Sequence, residues 1–268
     1  MNNALIIGIA VVIFAAIIGG FVARARAAKK TKELAAARGW RYEKSDVGIL
    51  DSYPQLFPFY SETGGRGKPG LSFGDTSHGE ARDVLYFNAG DFPGNSFTYT
   101  YTTHEQNSDN ETSTTKNYWH VVGLDLPTPF PSLIIRRRRK LDALENRLTK
   151  PVEFPQADLN AAYTIHSEHP PAALDIVTPQ MAAWLVYEEF RNEMVLQDQK
   201  LYVFSKGRQK IDNIDPMLKQ LTDFLAHIPA EAWQKTQGEY PRPERVKHVQ
   251  SLDLGQMKAA YDEWRDSQ

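Results

Sequence analysis

Cysteine is absent from this chain of 268 residues. Its absence removes a disulfide framework, a thiolate nucleophile and any zinc or iron–sulfur centre built on cysteine. An excess of one charge sign is missing as well. The 31 Lys and Arg stand against 33 Asp and Glu, a formal net charge of −2. Proteins that bind nucleic acid carry a strongly basic balance or face, so the composition argues against that partner. Catalytic signatures are missing too, since neither a Gly-x-Ser-x-Gly elbow nor a His-Glu-x-x-His helix occurs. The glycine-rich segment at 63–70 fails as a phosphate-binding loop. Glu62 stands where the first glycine is required, and Pro69 follows Lys68 in place of Ser or Thr. It reads as a solvent loop.

His166 and His169 are three apart, a spacing sometimes used for metal ligands, and His104 and His120 flank a polar stretch. On an extended strand, residues three apart point to opposite faces. No helix supplies a second pair to complete a site. The sequence therefore predicts no catalytic residue, no metal site and no cofactor.

What is present begins at the N-terminus. Residues 4–23, ALIIGIAVVIFAAIIGGFVA, carry no charge, and about 20 helical residues span a hydrocarbon core of about 30 Å. No basic residue precedes the run, as a cleaved signal would require, and Arg24, Arg26, Lys29, Lys30 and Lys32 follow it directly. By the positive-inside rule this is an uncleaved single span with residues 1–3 outside and the remainder in the cytoplasm, at the inner (plasma) membrane. Ala15/Gly19 and Ala16/Gly20 have a spacing that lets two such helices approach closely, the basis for a weak homodimer through the anchor. Residues 24–39 are rich in helix formers and end at Gly39, so the span is expected to continue as a basic helical stalk whose cations lie near anionic headgroups.

Residues 40–148 read as mainly antiparallel β. An irregular, proline-interrupted lead-in precedes strands near 83–89, 96–103 and 117–126. In the second of these, Phe97, Tyr99 and Tyr101 alternate with Thr98, Thr100 and Thr102, the period of a half-buried strand. The polar stretch 104–116 reads as a long mobile hairpin loop. Pro127, Pro129 and Pro131 are expected to interrupt pairing, with one more strand through Ile135 and a short helix carrying Leu141, Leu144 and Leu148. Residues 149–229 read as β-α-β-β-α: strands near 163–166, 193–196 and 201–204, and helices from Pro179 and Pro216 capped by Thr178 and Asp215. Residues 230–268 form a polar tail with a short amphipathic helix at Met257, Tyr261 and Trp264. The fold class is α+β: one transmembrane helix, then a domain with an antiparallel meander and a β-α-β-β-α region.

Tyr163, Ile165, Ser167, Ala173, Val177, Thr178 and Pro179 set out a hydrophobic strand, an alanine and a Val-Thr-Pro helix start. In these positions the chain resembles an uncharacterised bacterial family of membrane-anchored domains, although His169 stands where that family carries an acidic residue. The resemblance implies a bacterial, membrane-attached α+β protein and no particular activity.

The strongest local feature is Arg136, Arg137, Arg138, Arg139 and Lys140, directly after Leu133-Ile134-Ile135. A strand would place such charges on both faces, which suits a strand end leaving its sheet. The same run protects an exposed edge from aggregation, or binds anions. With the stalk tethering the domain, anionic lipid or an acidic protein is the expected partner. The sequence thus points to a non-enzymatic, membrane-tethered interaction module. The alternative is a tethered, hydrolase-like enzyme with a site assembled from dispersed polar residues.

Overall fold

Helix α1, residues 28–37, ends as its glycine predicts. Gly39 adopts φ +67°, its N–H donates to the Ala36 carbonyl at 3.3 Å and the Trp40 N–H reaches back to Ala35 at 2.8 Å. This double bond pattern with a left-handed glycine satisfies carbonyls that the last helical turn leaves open. The structure, a computed structural model, describes residues 28–53, 79–106, 112–138, 150–188, 190 and 192–237, with Phe14, Ile18, Gly19 and Arg26. Among these no helix is long and apolar enough to cross a membrane. Apart from Phe14, Ile18 and Gly19, the apolar run at 4–23 lies outside the described residues, as do Arg24, the 63–70 loop, Arg139, Lys140, the 141–148 segment and the tail beyond 237.

The chain is α+β, and its sheet is wholly antiparallel. Strands β1 (Arg41–Ser45), β2 (Glu80–Ala89), β3 (Phe92–Gln106), β4 (Thr112–Arg137) and β5 (Tyr163–Ser167) pair in that order, and β6 (Glu193–Lys206) pairs along the other side of β4. β4 organises the sheet. Its first half pairs with β3 from Gln106↔Thr112 to Gly94↔Leu124, and its last residues pair with β5 from Leu133↔Ser167 to Arg137↔Tyr163. β6 accompanies it from Trp119↔Lys206 to Ile135↔Met194.

Several expectations are corrected here. The lead-in after Trp40 contains β1 and a 3₁₀ turn at Gly48–Ser52. The polar stretch 104–116 is mostly strand, since β3 runs to Gln106 and β4 starts at Thr112. The prolines at 127, 129 and 131 do not end β4. They fall where β4 has left β3 and not yet met β5, and where its register with β6 shifts on both sides of Phe130. A missing proline N–H costs little where the ladder is already broken. The two strands expected at 193–204 are one, with Asp198 at φ +50° opposite Phe130. Asp tolerates the left-handed region better than most residues, so β6 kinks there without turning back.

Helices α2 (Ala157–Ala162), α3 (Pro170–Ile176), α4 (Pro179–Tyr187), α5 (Ile211–His227) and α6 (Ala230–Lys235) complete the described elements. The region after 149 therefore runs α-β-α-α-β-α, not β-α-β-β-α. Thr178 caps α4 as expected, its Oγ1 accepting from the Met181 N–H at 3.3 Å. Helix α5 begins five residues before Pro216, so Asp215 is not its cap. His169, three residues from His166, caps α3: its Nδ1 accepts from the Ala172 N–H at 3.1 Å.

Strand alternation gives the sheet two covered faces. On one, Leu85, Phe87, Val122, Leu124, Phe130 and Val203 meet α4, α5 and α6 through Met181, Leu185, Leu221, Phe224 and Ala232 in a single core. Burying a large apolar side chain of this kind contributes about 1.5–3 kcal/mol. On the other face, Phe97, Tyr99, Val121, Tyr202 and Phe204 pack with Ile49, Leu50 and Tyr53 of the 3₁₀ segment. Tyr53 is fully buried there and donates to Asn95 Oδ1 at 2.5 Å.

Candidate functional site

Helix α1 is built into the domain. Its Thr31 and Ala35, one turn apart, are buried at 6% and 1% exposure, and Ala35 belongs to the main core. At its end the Arg38 guanidinium donates to both carboxylate oxygens of Asp215 on α5, at 2.5 and 2.7 Å, and lies 4.8 Å from the Trp40 ring centre. The hydrogen bond from Arg38 holds the Asp215 carboxyl below the usual carboxylate range. Near the other end, Lys30 pairs with Asp212 at 3.8 Å. Lower numbers on α1 thus meet lower numbers on α5. An open cleft of about 410 Å³ lies between the two helices. Of the stalk cations, Arg26, Lys29, Lys30 and Lys32 are exposed, with Lys29 paired to Glu33 one turn on.

The N-terminus of α5 follows directly on β6 through Gly207–Lys210, and this connection is pinned. Gly207, at φ +115°, donates its N–H to the Tyr118 carbonyl at 2.8 Å. Gln209 donates its backbone N–H to Thr98 Oγ1 at 2.9 Å and its side-chain amide to Ser96 Oγ at 2.8 Å. Ser96 in turn lies 3.0 Å from His120 Nε2. Ser96, Thr98, Thr100 and His120 are all buried, a polar corner on the helix-bearing face of the sheet.

A serine–histidine pair can in principle serve as nucleophile and base, which requires a third group to orient the ring and a path for substrate. Here His120 Nδ1 has no hydrogen-bond partner, and both side chains are at most 1% exposed. Burial and the nearby Lys210 ammonium hold the imidazole down at about 4, so it is neutral near pH 7. The arrangement acts as a latch that fixes the β6–α5 connection to β3. Among the described residues no cluster of His, Asp and Glu could hold a metal ion.

The basic run sits at the far end of β4. Arg136 and Arg137 pair with Thr164 and Tyr163 of β5, and the Arg138 N–H donates to the Ala162 carbonyl. Arg136 is half-buried, while Arg137 and Arg138 are exposed, so charge does emerge where the strand leaves the sheet. β6 spans the stretch from Trp119, opposite Lys206, to Ile135, opposite Met194, in 12 residue steps, about 40 Å of strand. The structure therefore does not bring this run together with the α1 cations. What does lie near them is a second basic set, Lys206, Arg208 and Lys210, unremarked in the sequence. Its signal was an alternation, Lys-Gly-Arg-Gln-Lys, directly after an apolar strand.

No family model and no curated protein matches the chain. Solved structures that are similar to it include the crystal structure of the mycobacterial trehalose monomycolate transport factor A, TtfA, with 15% identity and a TM-score of 0.44, over 75% of this chain and 96% of that one.

Proposed function

We propose that the chain is a membrane-tethered interaction module. Residues 4–23 form a single span with the N-terminus outside, α1 carries the chain from the inner leaflet into a cytoplasmic domain, and the Arg136–Lys140 end receives an acidic protein partner. The observation that carries this reading is the docking of α1, through buried Thr31 and Ala35 and the paired contact of Arg38 with Asp215. A span continuing into a helix so held gives the domain a defined attitude to the bilayer. The exposed cations Arg137 and Arg138, at the far end of β4 from the polar corner, then face away from the membrane. Exposed cations of one sign steer an acidic partner and govern its on-rate.

Two measurements test the proposal. The full-length chain is expected to stay with membranes through alkaline carbonate extraction, with a C-terminal reporter active only on the cytoplasmic side. Release by carbonate, or an external reporter, would overturn the tether. A photo-crosslinking residue at Arg137 is expected to capture an acidic protein in cells, and Arg136→Glu with Arg138→Glu should abolish the capture. Capture that survives this charge reversal would overturn the partner assignment.

A further inference from the structure

We infer that Lys206 at the end of β6, with Arg208 and Lys210 on the β6–α5 connection, forms a surface that seats the domain on an anionic lipid leaflet. The inference rests on the tethered reading above and specifies the face turned to the membrane.

Three features carry it. The connection is rigid, because Gly207 and Gln209 are tied inward to Tyr118, Thr98 and Ser96. With those residues facing in, Lys206, Arg208 and Lys210 are all exposed, and the Arg208 guanidinium rests 4.2 Å from the Tyr118 ring centre. Three cations are thus gathered within five residues at one end of the sheet, Arg208 and Lys210 beside Tyr118 and His120 and Lys206 opposite Trp119, with little ordering left to do on contact.

Their charge is uncompensated. Among the described residues no carboxylate pairs with any of the three, and the nearest acids along the chain are occupied: Asp212 by Lys30 and Asp215 by Arg38. Lys210 also stands close enough to His120 to lower its proton affinity, a sign of local positive potential.

Their position matches the tether. Lys30 meets Asp212, two residues beyond Lys210, so the N-terminal end of α1 and the connection share one end of the domain. A chain arriving from a span at 4–23 brings that end to the headgroups first. Lipid phosphate is then the anion at hand, whereas the Arg136 end lies about 40 Å of strand away. Each cation near an anionic leaflet shifts the contact equilibrium by about fivefold.

The absence of cysteine makes the test direct. In otherwise full-length chain, Lys116→Cys, next to the connection, and Arg137→Cys, at the far end, each provide one labelling site for a fluorophore. The labelled chains are reconstituted into phosphatidylcholine vesicles with or without phosphatidylglycerol, containing a headgroup-linked quencher. Flotation after a carbonate wash reads the tether independently. The expected result is quenching at 116 well above that at 137, dependent on phosphatidylglycerol and lost at high salt. Lys206→Glu with Lys210→Glu should lower the phosphatidylglycerol-dependent contact by about 20-fold or more, with an unchanged urea midpoint showing that the domain still folds. Equal quenching at both positions, or quenching indifferent to phosphatidylglycerol or to the double substitution, would overturn the lipid surface while leaving the tether standing. Failure to float after the wash would overturn the tether and this inference with it.

Discussion

Protonation of one buried side chain should govern how the domain tolerates mild acid. His120 is 1% exposed, and burial together with Lys210 holds it at about 4, against about 6.5 for a free imidazole. Between those values the unfolded chain takes up a proton that the folded chain refuses. Stability is therefore full above about 6.5, falls as the pH drops toward 4, and loses nothing more from this group below that. The loss from His120 alone comes to about 1 kcal/mol at pH 5.5 and about 2–3 kcal/mol at pH 4.5. His120→Gln removes the titration and keeps an amide that can reach Ser96. Urea unfolding followed by tryptophan fluorescence at pH 7.5 and at pH 4.5 measures the difference. Wild type should lose about 2–3 kcal/mol more than the variant between the two conditions. Asp46 and Asp215, held low by hydrogen bonds from Tyr86 and Arg38 respectively, also cost stability in acid, but equally in both chains. Parallel losses for wild type and His120→Gln would refute the assignment of a neutral, buried imidazole.

Ala35→Asp should free α1 without unfolding the sheet, because an unpaired carboxylate cannot remain at a site 1% exposed; hydrogen exchange should quicken over 28–38 while β4 and β6 stay protected. Asp215→Asn should weaken the same docking by no more than about 1 kcal/mol, since the pair with Arg38 is partly solvent-exposed, and the deficit should vanish at high salt. Gly94→Ala should cost about 1–3 kcal/mol in urea titration, because a Cβ there would lie 2.6 Å from Phe87 and 2.8 Å from the Gly123 carbonyl.

Periodicity revealed what is local in this fold. The alternation of Phe97, Tyr99 and Tyr101 with threonines marked β3, Gly39 marked the end of α1, and Thr178-Pro179 marked the start of α4. Features decided by neighbouring strands were hidden. Three prolines argue for the end of a strand unless the partners on both sides change at that place, and in β4 they do. Asp215 before Pro216 has the form of a helix start, yet its carboxylate is taken by Arg38 from 177 residues away. The helix instead begins at Ile211 and accommodates proline at its sixth residue, giving up the one bond that a proline N–H would have made.

The second basic set was hidden for a related reason. In one dimension Arg136–Lys140 outweighs Lys206, Arg208 and Lys210, because five adjacent cations are conspicuous and three alternating ones are not. Folding reverses the comparison at the end of the domain nearest α1. Lys30 and Arg38 count as stalk cations in the sequence, but acids of α5 draw on both. Those exposed pairs contribute little to stability, yet they cancel charge locally. The potential a leaflet would meet is therefore set by the cations that α5 leaves unmatched. Lys206, Arg208 and Lys210 are in that class: Lys206 ends β6, and Gln209, half-buried with its amide groups tied to Ser96 and Thr98, leaves Arg208 and Lys210 exposed on either side of it. Replacing Gln209 by Ala would leave every charge in place and remove the latch. If the pinned geometry matters, lipid contact at Lys116 should weaken in that variant although the net charge is unchanged. If charge alone decides it, contact should persist.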